Sequence, residues 1–128
     1  MAHIEEAYVS LEVAKLLKEK GFEGKEWCSH AYYDESLIDY TLFGFCCDDK
    51  EFVYAPTQQM AMSWLREEKN ILIFIVPAKD ESNNLKYGAD VWTWNEGEGL
   101  YEPTWFIDDY IYEKAVEAAI KYCLENLI

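Results

Sequence analysis

Seven consecutive apolar residues, ILIFIVP at 71–77, interrupt an otherwise acidic chain. The run is too short for a useful helix and rich in branched side chains, so it reads as a strand. With no polar alternation it is expected to be buried on both faces and to lie at the centre of a sheet, closed by Pro77. The stretch before it, APTQQMAMSWLREEKN, is read as the helix that feeds this strand. Pro56 suits a first turn, either Ala55 or Thr57 occupies the cap, with Thr57 offering the hydroxyl, and Asn70 is the expected terminator. Met60, Ala61, Trp64 and Leu65 recur at helical spacing and are expected to face the core, with Gln58, Gln59 and Arg66 turned away.

The rest of the chain is read by the same local rules. SLEVAKLLKEKGF predicts a first helix with Ser10 as its cap, Leu11, Val13, Ala14 and Leu17 as its apolar stripe, and Gly21 at its end. From Trp27 to Ala55, short aromatic and β-branched runs broken by DES and DDK predict three antiparallel strands. KDESNN and EGEG are turns on either side of the strand LKYGADVWTWN. LYEPTWF follows as an edge strand, because Pro103 cannot donate to a ladder. AVEAAIKYCLENLI is an amphipathic helix with a wide apolar face. The expectation is one α+β domain over 1–128, with three helices and an antiparallel or mixed sheet of five to six strands, in the order α-β-β-β-α-β-β-(β)-α.

Charge narrows the function. Asp and Glu number 25 against 11 Lys and Arg, a formal net charge of −14. Binding to a phosphate backbone requires clustered cations, so direct nucleic-acid binding is not expected. No stretch approaches the roughly 18 apolar residues of a membrane span, and MAHIEEAY shows no basic-then-apolar pattern, so no membrane association is expected and the expected location is the cytoplasm. Two windows lack Lys and Arg altogether. The first, between Lys25 and Lys50, carries Asp34 and Glu35 beside Tyr32 and Tyr33; the second, between Lys86 and Lys114, carries Asp90, Glu96, Glu98 and Glu102 beside Trp92 and Trp94.

Reactive groups offer less. Cys28, His30, Cys46 and Cys47 invite a zinc reading, but CSH followed by CC matches no ligand spacing, and neighbouring residues on a strand point to opposite faces. The four cysteines, Cys123 included, are expected to be reduced thiols, and no metal or cofactor is expected. A Cys28 or Cys46 pair with His30 is outweighed by a buried thiol near a surface imidazole. Twenty-five acids guarantee adjacent carboxylates such as Asp48 and Asp49 by chance, so no catalytic residue is assigned.

APTQQMAMSWLREEKNILIFI, the closing EAAIKYCLENLI and the opening SLEVAKLLKEKGF resemble three blocks of a family of small uncharacterised proteins. That family is encoded largely in prophages and other mobile elements of intestinal bacteria. The resemblance implies an accessory protein with a host-directed interaction, and it carries no catalytic residue or cofactor.

The expected function is therefore nonenzymatic interaction with a protein that has a basic surface. Asp34, Glu35, Tyr32, Tyr33, Asp90, Trp92, Trp94, Glu96, Glu98 and Glu102 are the expected partner surface. In a sharper version the acids stand in for phosphates and the chain mimics a nucleic acid. A small hydrolase or transferase with a carboxylate or thiol site, and a structural homodimer, are the alternatives.

Overall fold

The computed structural model describes residues 7–24, 27–39 and 52–128. Cys46, Cys47 and the DDK turn expected from the sequence lie outside them. The described residues form an α+β fold in the expected order: α1 (Leu11–Glu19), β1 (His30–Tyr33), β2 (Ser36–Asp39), β3 (Phe52–Tyr54), α2 (Gln58–Lys69), β4 (Ile71–Lys79), β5 (Leu85–Asn95), β6 (Leu100–Asp109) and α3 (Tyr112–Asn126). The six strands make two antiparallel three-stranded sheets, ordered β2-β1-β3 and β4-β5-β6. The chain divides into two compact units, Met1–Ala61 and Met62–Ile128.

In the first unit, Ser10 caps α1 by accepting from the Val13 amide at 3.2 Å. The helix ends as a Schellman motif: Phe22 N–H donates to the Leu17 carbonyl and Gly21 N–H to that of Lys18, with Gly21 at φ +99°. Only glycine takes that conformation without a Cβ penalty, so Gly21 sets where the chain leaves the helix. Val13, Ala14 and Leu17 are buried together with Val9, Ala31, Phe52 and Ala55. The DES turn joins β1 to β2 through two residues, Asp34 and Glu35, at φ +48° and +70°. Both left-handed values match a type I′ hairpin, whose twist suits the flanking strands.

Thr57, the second of the two expected caps, caps α2, its hydroxyl accepting from the Met60 amide at 3.1 Å, so Pro56 precedes the helix instead of opening its first turn; Asn70 terminates the helix at φ +56°. Ala61 and Leu65 are fully buried, while Gln59 and Arg66 are exposed. Two expectations for this helix need correction. Gln58 is buried: its backbone N–H donates to the Ala7 carbonyl, which draws the first turn inward whatever the side chain's polarity. Met60 and Trp64 are only half-buried, and the Lys69 ammonium lies 5.4 Å from the Trp64 ring centroid.

In the second unit, β5 is the central strand and ILIFIVP belongs to β4, an edge strand. The expectation of a central strand buried on both faces is thus overturned, since Phe74 and Val76 are exposed. Pro77 fits the correction, because a residue with no N–H is tolerated at an edge. On β6, Val91 pairs with Trp105 but Trp92 pairs with Pro103, which leaves Thr104 as the extra residue of a bulge. α3 packs against all three strands, burying Ala115, Val116, Ala119, Ile120, Cys123 and Leu124.

Glycine tolerates the left-handed turn better than a residue carrying a Cβ. Glu35→Gly is therefore expected to raise unfolding stability by about 0.5–1 kcal/mol, read as a shifted urea midpoint. A lowered midpoint would show that the Glu35 side chain outweighs its backbone strain.

Candidate interaction surface

Alternation along the strands sorts the second sheet into two faces, because paired residues of antiparallel strands project to the same side. Ile71, Ile73, Ala89, Val91, Trp105 and Ile107 share one face by register. That face lies under α3, where Trp105 stacks on Tyr122 with ring centroids 4.2 Å apart and Tyr87 meets Tyr112 edge-on.

The opposite face carries Leu72, Phe74 and Val76 from β4, Lys86, Gly88, Asp90, Trp92 and Trp94 from β5, and Tyr101, Pro103, Phe106 and Asp108 from β6. It is open to solvent and largely apolar: Phe74 is 48% exposed, Val76 51%, Trp94 44% and Phe106 59%. The aromatics are organised. Phe74 meets Trp92 edge-on at 6.2 Å, and Trp94 meets Tyr101 at 5.1 Å. The Phe106 ring lies across Gly88, where an added Cβ would come within 2.8 Å of its Cε2. Glycine at that position lets the ring lie flat against the strand.

Polar groups gather at the two ends of this sheet. At one end Asp80 organises the turn between β4 and β5, accepting from the amides of Ser82 and Asn84 and from the Tyr110 hydroxyl at 2.8 Å. The Asn84 amide first, and then the Tyr110 hydroxyl, hold its carboxyl below the usual range, while Asp80 in turn raises the Tyr110 phenol. Lys86 pairs with Asp108 at 2.9 Å, and that hydrogen bond raises the ammonium. At the other end the Asn95 amide donates to Glu102, and Glu96 and Glu98 stand exposed in the turn.

The expected surface residues therefore separate. Asp90, Trp92 and Trp94 project together from the open face, and Glu96 and Glu98 follow directly in the turn beyond it. Glu102 pairs with Thr93 and so belongs to the other face, bound to Asn95. Tyr32 donates its hydroxyl to the Val9 carbonyl at 2.7 Å and is half-buried. Tyr33, Asp34 and Glu35 are exposed at the β1–β2 turn of the first unit, where Tyr33 meets Phe52 at 5.3 Å. Phe74, Val76 and Phe106 lie outside the expected surface set; only the strand register reveals that they share a face with Trp92.

Nucleophile chemistry fares differently. Burial pushes the Cys28 thiol up to about 11 and the Cys123 thiol up to about 12, opposite to the activation a nucleophilic cysteine needs. His30 Nδ1 is 2.8 Å from the Ser29 hydroxyl, and its ring packs on Tyr8 with centroids 4.3 Å apart. A cavity of about 440 Å³ beside α1 and β3 is lined by Ala14, Lys18, Gly21, Phe22, Glu23, Gly24, Phe52 and Tyr54, a set without a general base and nucleophile pair. Among the described residues no group of three or more His, Cys, Asp or Glu is placed to hold a metal ion, and no helix is long and apolar enough to cross a membrane. Comparison with family models, curated proteins and solved structures finds no match.

A thiol whose folded value is raised stabilises the fold fully below its unfolded value and loses that contribution as pH climbs through the folded one. Unfolding stability should therefore fall as pH rises above about 9, by up to ~1.4 kcal/mol per pH unit for each buried thiol. Urea midpoints measured between pH 8 and about 11 test this, and the decline should be shallower in Cys123→Ala.

Proposed function

We propose that the protein is a nonenzymatic interaction module whose open β4-β5-β6 face docks a protein with a basic surface. The observation that carries this reading is the solvent-exposed Phe74, Val76, Trp94 and Phe106 on one sheet face, continued by Glu96 and Glu98. Contiguous exposed apolar patches of this kind are uncommon on monomers and usually mark association sites. Aromatic side chains anchor such interfaces, while a rim of one sign speeds encounter with the opposite sign. A cytoplasmic location and a host-directed accessory role, as the resemblance to mobile-element proteins implies, fit this reading. Mimicry of a nucleic acid would call for carboxylates arrayed across the face, and aromatics occupy it instead. A homodimer through the same face would set two acidic rims of a chain with net charge −14 against each other.

Affinity capture from a cell lysate, followed by measurement of the purified pair, tests the proposal. Trp94→Ser and Phe106→Ser are expected to weaken the complex by about tenfold or more each, as loss of an aromatic anchor does. Reversing Glu96 and Glu98 to Lys should slow association and flatten its salt dependence, whereas reversing Glu12 and Glu19 on α1 should do neither. A partner indifferent to both the aromatic and the acidic substitutions would end this reading.

A further inference from the structure

Among the described residues, the open face has one charge without a partner. Lys86 and Asp108 pair with each other on it, and Asp80, in the turn at its end, accepts from Tyr110. Asp90, half-buried at the middle of central strand β5, has neither a hydrogen bond nor an ion pair among the described residues. Its cross-strand neighbours are Phe74 on one side and Phe106 on the other, so their Cβ atoms lie about 5 Å from its own. Trp92, two residues along the same strand, projects from the same side and meets Phe74 edge-on. Asp90 is thus a half-buried carboxylate flanked in register by two phenylalanines, with no counter-charge among the described residues.

We infer that Asp90 is the seat for an arginine side chain of the protein partner, inserted between the Phe74 and Phe106 rings. This rests on the docking function proposed above and specifies what the partner presents there. Arginine fits on two counts. Its planar guanidinium stacks on aromatic faces and keeps its charge at every physiological pH, and its paired N–H donors match a carboxylate fork. The surrounding Val76, Leu72 and Trp94 ask for apolar residues beside that arginine. In an extended segment these sit two positions away on either side, since alternate side chains share a face.

The test uses the full chain, labelled for NMR, and a short extended peptide with arginine at its centre and leucine two positions to each side. Otherwise identical peptides carry citrulline, the neutral isostere, or lysine. The arginine peptide is expected to shift the Asp90 carboxyl and Trp92 indole resonances, and to bind about tenfold more tightly than the citrulline peptide, the increment of a cation–π contact joined to a charged hydrogen bond. In Asp90→Asn the arginine and citrulline peptides should bind alike, with the spectrum otherwise unchanged. If citrulline binds the wild type as well as arginine does, with shifts on this face, the arginine seat is wrong while the docking face stands. Lysine binding as tightly as arginine would overturn the choice of guanidinium. Shifts confined to other parts of the chain would overturn the seat and the docking face together.

Discussion

The packing of α3 on one side of the β4-β5-β6 sheet is the interaction on which the second unit depends. A three-stranded sheet has two faces to cover and this unit covers one. Ala115 and Ala119 are fully buried in α3, and Ala89 and Val91 are fully buried on the central strand, so small side chains allow helix and sheet to approach closely. Trp105 and Tyr122, stacked within 6° of parallel, close the contact above β6. One helix over three strands anchors the fold through a single seam. The other sheet face can then carry residues chosen for something besides stability.

What the opposite face carries is at odds with the rest of the surface. The chain has more than twice as many acids as bases, yet this face is lined with Phe, Trp, Tyr and Val. One end of the sheet is tied by Lys86 to Asp108 and Tyr110 to Asp80 and the other by Asn95 to Glu102, while the centre of the face holds Asp90, unpaired among the described residues. Ordered polar rims around an apolar field resemble the anatomy of protein interfaces, in which charges are depleted at the core and water is excluded by the rim. A continuous β ladder would supply preorganisation to the docking proposed above, reducing the entropy lost.

The sequence revealed most where structure is set locally. Ser10, Thr57, Gly21 and Asn70 mark helix ends through bonds and backbone angles that span a few residues, and each sits where its chemistry required. Pro103 placed its strand at an edge for an equally local reason. The apolar run at 71–77 was misplaced because strand neighbours are a nonlocal property: a continuous apolar segment suits a central strand, but it also suits an edge strand with one face under a helix and one face left open. The grouping of Asp90, Trp92 and Trp94 could be read from alternation within one strand. Their juxtaposition with Phe74 and Phe106 required the register of three strands, and no pattern within a single segment encodes it. Trp64 and Gln58 went astray for a related reason, since helical spacing says which residues share a side but not how deeply that side is buried.

The acidic composition and the exposed aromatic face make sense together. An apolar face of this kind on a neutral protein invites self-association, because face-to-face contact of two copies removes apolar surface from water. A net charge of −14 opposes that encounter at range, and Glu96 and Glu98 stand directly beyond the face. Asp90 opposes it at contact, since a second copy would bring its own Asp90 while the lysine of this face, Lys86, is already paired with Asp108. The same three features reverse sign for a basic partner: long-range repulsion becomes attraction, the rim becomes a guide, and the central carboxylate gains a counter-charge. On the docking function proposed above, negative charge on this chain would act as a filter that disfavours like copies and admits cationic surfaces, with the aromatic residues supplying the contact energy once a suitable surface arrives.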